Sequence, residues 1–300
     1  MIKVQVPAST ANVGPGFDIL GLALSLYNTI EVEKLSENRV VIEYSGEGKD
    51  IIPCNSENLI YKAILKVYEY ANVHLHGIHI KIHNDIPLMG GLGSSSSAIV
   101  SGIVAGNYLL ENKLSKHELL KLAVELDGHP DNVTPALFGG FTLSYKDHKD
   151  LPDLVQLKFP SNTDIIAVTP NYHVSTHDAR KVMPKNYPLS VIIKNQTNLF
   201  RLIKGLEGNK LEDLKYLLED EIHQPYRFPL VPGLKRACEM AYQEGAIGSF
   251  ISGSGPTLIA LTKDNKENIA QSIVEVFKNE KLEAQSRFLN VDFDGAKVIS

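Results

Sequence analysis

Apolar and polar residues alternate from the first positions, with Ile2, Val4 and Val6 separated by Lys3 and Gln5, the period of a half-buried strand. Pro7 to Asp18 interrupts the alternation with turn-forming residues, and it resumes through Leu22, Leu24 and Leu26. Asn12 and Asp18 are therefore predicted to flank a turn between two strands. The period then changes. Leu59, Ile60, Ala63, Ile64, Val67, Tyr68 and Ala71 recur on one helical face, which Asn55 or Ser56 can cap. Ile78, Ile80 and Ile82 alternate with His79, Lys81 and His83, and this strand runs into a glycine-serine loop, Pro87 to Ser97. Ala98 to Leu110 is an apolar helix, which sets that loop at a helix N-terminus. Ser115 and Glu118 form a capping box for the next helix, which ends near Gly128 and carries Glu125 in its last turn.

Tyr145 to Pro160 is charged and punctuated by proline, the pattern of a linker, and divides the chain into residues 1–155 and 156–300. Beyond it a strand is predicted at Ile165 to Val168 and a short helix from Ser175 to Pro184. Three more helices follow: Ser190 to about Gly205, one capped by Asn209 and reaching Asp220, and Pro232 to Glu244. Gly248 to Leu261 reads as strand, glycine turn, strand, and a helix through Ile269, Ile273, Val276 and Phe277 leads to a final strand. Helices and strands mix in both halves, so the fold class is α+β, with no repeat of fixed period.

Composition narrows the function. Three hundred residues at about 150 per domain suit two domains, and the 43% hydrophobic and 22% charged content is that of a folded globular chain. A net charge of −5 lacks the basic excess that nucleic acid demands. Cys54 and Cys238 form no C-x-x-C pair, which fits a reducing compartment. No apolar stretch reaches membrane-spanning length and no signal segment precedes the first strand, so a cytoplasmic location is expected.

The glycine-serine loop carries the sharpest chemistry. Backbone N–H groups freed by glycine, with the positive end of the following helix, make a phosphate site to which serine hydroxyls add donors or a magnesium ligand. The loop lacks the Gly-Lys-Ser/Thr ending of a Walker loop, and Ser96 replaces the third glycine of a dinucleotide fingerprint. Glu125 to Asn132 packs three carboxylates, a histidine and an amide around a helix end. Magnesium binding there and a solvated terminus capped by Asp131 are both open readings. Arg180 and Arg227 could each grip an anion or simply be solvated. His74, His76, His79 and His83 lie on and beside an edge-like strand without partners at zinc spacing, so a polar strand face is expected. Gly253-Ser-Gly255 is no hydrolase elbow, since no histidine follows it.

Taken together, three strings resemble the motifs of the GHMP small-molecule kinase superfamily: Pro7 to Asp18, Pro87 to Ser97, and Ile251-Ser-Gly-Ser-Gly-Pro-Thr257. Their order and spacing cover almost the whole chain. Mevalonate- and galactokinase-type members carry a Pro-Gly-x-x-x-x-x-Gly-Glu-His-like segment at the first string. Here Ser9-Thr-Ala-Asn-Val-Gly-Pro-Gly-Phe-Asp18 resembles the homoserine kinase family instead, as do Glu125, Gly128-His-Pro-Asp-Asn-Val133 and Phe138-Gly-Gly-Phe141. The resemblance implies a ribosomal-protein-S5-like N-terminal domain and a ferredoxin-like C-terminal domain with ATP between them. The ATP segment would comprise Pro87, Leu88, Met89, Gly90, Gly91, Leu92, Gly93, Ser94, Ser95, Ser96 and Ser97, with Asn58 near the adenine. Ser95 and Glu125 would hold Mg2+. Arg180 and Arg227 would clamp the homoserine carboxylate and Asp18 its amino group, with Asn12, His129 and Asn132 around the reacting hydroxyl. The implied activity makes O-phospho-L-homoserine for threonine biosynthesis, with L-homoserine and ATP as partners and neither nucleic acid nor membrane. The first string holds no lysine to support an aspartate base, so no strong side-chain base is expected. Another small-alcohol acceptor, or a non-catalytic nucleotide-binding regulator on the same fold, are the alternatives. The oligomeric state stays open, a homodimer among the options.

Overall fold

A computed structural model describes residues 1–299 as two sheets with helices on one side of each. The first sheet begins with β1 (Ile2–Ala11), β2 (Leu20–Leu35) and β3 (Val40–Gly46). Then α1 (Leu59–Tyr70), β4 (Gly77–Asn84), α2 (Ser94–Leu109), α3 (Lys116–Asp127) and α4 (Pro130–Phe138) precede β5 (Phe141–Lys146) and β6 (Pro152–Leu157). The 16-residue β2 is the axis of this sheet. It pairs with β1 along its length, with β5 at Leu20 to Leu22, and with β4 from Asn28 to Leu35. Val4, Ile30, Ile78 and Ile80 point from the sheet onto Ile64, Val100 and Leu122 of the helices, a core from which water is fully excluded.

The second sheet takes β7 (Asp164–Pro170), then α5 (Thr176–Lys181), α6 (Leu189–Glu207), the single-turn α7 (Leu214–Leu217) and α8 (Gln224–Arg227), and a 3-10 turn at Phe228–Leu230. It is completed by α9 (Leu234–Gln243), β8 (Gly248–Ile251), β9 (Leu258–Thr262), α10 (Lys266–Asn279) and β10 (Ala284–Leu289). The order β10-β7-β9-β8 is antiparallel throughout, and α9 and α10 cover one face through Ala237, Ile269 and Phe277. Its other face joins the first sheet: Ala8, Leu20, Leu22 and Phe141 pack with Ile165, Leu214 and Phe250 in one shared apolar layer. That layer fixes the two halves against each other.

Several sequence expectations change. The predicted linker at 145–160 is a β-hairpin of the first sheet: Asp147 Oδ1 accepts from Lys149 and Leu151 N–H and closes the turn, which holds Asp147, Lys149 and Asp150, while Lys146 and Asp153 sit at the strand ends beside it. The 155/156 division thus falls inside β6. The chain end also returns to the first sheet, where β11 (Lys297–Val298) pairs with β1. The helix expected from Asn209 to Asp220 is only α7. Asn209 is left-handed (φ 53°) and Asp220 instead accepts three backbone N–H groups ahead of α8. The histidine strand, β4, is interior, with His79 between Glu33 of β2 and Glu43 of β3.

Candidate active site

Four loops and two helix starts converge where the sheets meet, around a cleft of about 550 Å³. Its floor is the phosphate loop. Gly93 (φ 68°) turns the chain into α2 and offers no side chain to the first helical N–H groups, whereas Asn58, Ser115 and Ser175 cap α1, α3 and α5. The uncapped donors and the helix dipole are left for an anion. Gly91 sits so close to the Ser252–Gly255 turn that a Cβ would strike the backbone oxygens of Ser252 and Gly255. Ser252 Oγ donates to Gly91 O at 2.6 Å, and the β8–β9 turn thereby holds the loop from the other half of the molecule.

The β1–β2 loop lies opposite. Asn12 (φ 71°), Val13 (φ 46°) and Gly14 (φ 71°) are left-handed in succession, which is strained for Val13. The strain is held by the Asn12 side chain, which donates to Gly253 O at 3.0 Å and accepts from Asp18 N at 3.0 Å. Asp18 thereby faces Arg180, whose Nη2 is 2.7 Å from Asp18 Oδ1, while Arg180 Nε is buried with no partner among the described residues. Arg227 is 3% exposed, donates Nη1 to Gly253 O at 2.8 Å, and lies 5.0 Å above the Phe17 ring. Burial pushes its guanidinium down to about 10, against the pull of Asp18, so it stays charged at neutral pH.

The third wall is the start of α4. Asn132 Oδ1 accepts from Ser9 Oγ at 2.9 Å, so its amide N–H groups are the part left to the cleft, and His129 stands beside it. Asp127 binds Ser96 Oγ at 2.8 Å and has its carboxyl raised by burial. Asp131 is pushed up to about 7 by burial first and by the charges of Asp18 and Asp127 next. Three carboxylates around one cleft, two of them holding protons too well, form a site built to receive positive charge.

The structure brings Asn12, Asp18, His129, Asn132, Arg180, Arg227, Met89, Gly90, Gly91, Gly93 and Ser94 to Ser96 to this cleft. Pro87 and Leu88 line an adjoining groove, Leu92 is buried beneath the loop, and Ser97 turns back to Ser94 O. Two expected residues sit elsewhere. Glu125 pairs with Lys66 at 3.0 Å outside the cleft, and Asn58 is spent on Ile60 N and Pro53 O as a helix cap. Among the three carboxylates of the Glu125–Asn132 segment, the one that reaches the loop is Asp127, at Ser96 Oγ, a residue to which the sequence reading gives no role. Its place directly before Gly128, which ends α3, is the signal that could have found it.

An uncapped helix start open to an anion, faced across the cleft by Asp18 and two arginines, is the arrangement of a small-molecule kinase. The family model for the GHMP kinases N terminal domain matches residues 58–140, and that for GHMP kinases C terminal matches 202–279. The homoserine kinase of Carboxydothermus hydrogenoformans is 40% identical over 99% of this chain and 96% of its own. That of Petrotoga mobilis is 37% identical over 100% of this chain and 97% of its own. The crystal structure of a homoserine kinase from Cytophaga hutchinsonii superposes with a TM-score of 0.90 at 33% identity, covering 99% of this chain and 97% of that one. A mevalonate kinase structure shares the fold at a TM-score of 0.75 and 17% identity. The chain belongs to the homoserine kinase family of the GHMP kinases.

Proposed function

We propose that the cleft transfers the γ-phosphoryl group of ATP to the hydroxyl of L-homoserine, giving ADP and O-phospho-L-homoserine, the step that feeds threonine synthesis. The observation that carries this reading is the charge set beside the phosphate loop. Asp18 is matched against Arg180 and Arg227, and the buried Arg180 Nε has no acceptor among the described residues. An amino acid satisfies that set completely, with its ammonium on Asp18 and its carboxylate across the two guanidinium groups. Its side chain then reaches toward Asn132 and His129, beside the phosphate loop.

ATP fits with its phosphates on the α2 N-terminus and its base in the groove lined by Gly48, Ile51, Pro87 and Leu88, which meets the cleft at Met89 and Gly90. A division near 155/156 leaves the phosphate loop in the N-terminal part and both arginines in the C-terminal part. Mg2+ fits as well, because Asp127, with surplus carboxylate charge, and the Ser95 hydroxyl both line the cleft as hard oxygen ligands. The ion would neutralise phosphate charge. Phosphoryl transfer needs chiefly alignment and charge stabilisation, and the residues present supply both. Asn132 orients the hydroxyl oxygen by donating to it. Having no basic atom to offer, it leaves the proton to a γ-phosphate oxygen or to water.

Coupled measurement of ADP release with Mg·ATP against L-homoserine, D-homoserine, L-serine, mevalonate and galactose tests the reading. Turnover confined to L-homoserine is expected. Preference for mevalonate or a sugar would overturn the acceptor site, and ATP binding without turnover would favour a regulator.

A further inference from the structure

His223 is fully buried, does not line the cleft, and has no part in the chemistry above, yet it touches both halves of the acceptor site. Its backbone is fixed first. Asp220 Oδ2 accepts from His223 N at 2.9 Å and from Gln224 N at 2.7 Å, which sets the entry to α8. The ring then lies against Phe17, with centroids 5.2 Å apart and planes 28° from parallel. Nε2 is 2.9 Å from Gly14 O, in the loop that carries Asp18, and Nδ1 is 3.5 Å from Arg227 Nη1.

Those two neighbours dictate the protonation state. A carbonyl oxygen can only accept, so Nε2 must carry a proton. A guanidinium can only donate, so Nδ1 must present its lone pair. The neutral Nε2–H tautomer is the one form that satisfies both, and burial together with the Arg227 charge disfavours the imidazolium, against the pull of Asp220. Gly14 takes a left-handed conformation (φ +71°) packed against Leu218, where a Cβ would lie 2.8 Å from Leu218 O, so only glycine fits there.

We infer that His223, as the neutral Nε2–H tautomer, is a positioning residue that registers Arg227 against the β1–β2 loop. It thereby sets the span between the guanidinium that takes the substrate carboxylate and the Asp18 carboxylate that takes the ammonium. The substrate half of this inference rests on the homoserine reading above; the tautomer half does not.

The experiment uses the full-length protein. Nitrogen-15 NMR of the histidine rings, without ligands, is expected to show His223 neutral and protonated on Nε2 from pH 5 to pH 8; an imidazolium or an Nδ1–H ring overturns the proposal whether or not any variant folds. In kinetics, His223→Leu is expected to raise the KM for L-homoserine about tenfold or more while the ATP KM changes less than about twofold, the pattern of a displaced anchor. His223→Gln keeps a donor for Gly14 O and an acceptor for Arg227, and is expected to recover most of that loss. Equal damage to both KM values, or a folded His223→Gln no better than His223→Leu, overturns it. If the wild-type protein does not turn over L-homoserine at all, the functional reading fails, and the NMR result alone decides on His223.

Discussion

Asp131→Asn separates charge from shape at the most perturbed carboxyl of the cleft. Asp131 is 4% exposed, and its carboxyl is pushed up from 3.8 to about 7 by burial first and by Asp18 and Asp127 second. A carboxyl raised on folding holds its proton better in the folded chain. Its contribution is therefore intact below 3.8 and is lost as the pH climbs through 7. At about 1.4 kcal/mol for each pH unit between the two values, the raised carboxyl costs about 4 kcal/mol at pH 8 but less than half of that at pH 5. An asparagine of the same shape does not titrate. With an unfolding entropy of about 0.6 kcal/mol/K for a chain of this length, the Tm advantage of Asp131→Asn should grow by about 4 °C from pH 5 to pH 8 and then level off. Scanning calorimetry without nucleotide or amino acid reads this directly. A Tm difference independent of pH, or a wild type that gains on the variant as pH rises, would refute the charge-crowding argument.

Arg227→Leu should raise the homoserine KM by about a hundredfold or more at nearly constant ATP KM, since a buried carboxylate left without its partner costs about 3–5 kcal/mol. Steady-state kinetics check it, with Arg227→Lys as the folding control; equal damage to both constants would make the arginine structural. Asn132→Ala and His129→Ala should each lower kcat by about ten- to a hundredfold without abolishing turnover, as orienting groups do. Complete loss at unchanged homoserine affinity would assign one of them the base. Asp127→Asn should raise the Mg2+ concentration for half-maximal activity about tenfold, whereas Glu125→Gln should leave it near wild type. A magnesium titration with the opposite ranking would mean that Glu125 leaves Lys66 when the nucleotide binds.

What local pattern governs was legible in the residues. The α1 and α2 helices, the capping box at Ser115 and the phosphate loop all depend on period, caps and glycine, which act over a few residues. What was left unread or misread shares a different cause. The β3 strand is short and carries Glu43 among its apolar residues, and it exists because β4 pairs with it in parallel from the far side of α1. The β5–β6 hairpin looks like a linker because an edge strand tolerates charge and proline that an interior strand would not. At the site, the resemblance named Asp18, Asn132 and both arginines, and all four line the cleft. Which of Glu125 and Asp127 faces the loop depends on the rotation of α3, and that is set by Leu119, Leu122 and Ala123 in the core. His223 has no local signature at all, because its meaning lies in Gly14, 209 residues away.

The Asp18–Arg180 pair adds a reason for the preference for zwitterions. Both side chains are about a third exposed, 33% and 35%, so their mutual contact is worth at most about 1 kcal/mol to the fold and is easily opened. On the proposed reading, a homoserine molecule would replace each half with an equivalent partner, ammonium for Asp18 and carboxylate for Arg180, and no charge would be left unmatched. A ligand bearing only one of those groups opens the same pair but strands the other ion in a cleft that already contains Asp127, Asp131 and the buried Arg227. The penalty then falls on the ligand that lacks a charge, and selectivity arises from what the empty site must give up as much as from what the bound substrate gains. Arg227 does not swing in such an exchange, since Ala179 O holds its Nε and Gly253 O holds its Nη1, which leaves Nη2 to the carboxylate. It therefore acts as the fixed pole against which the mobile pair is read.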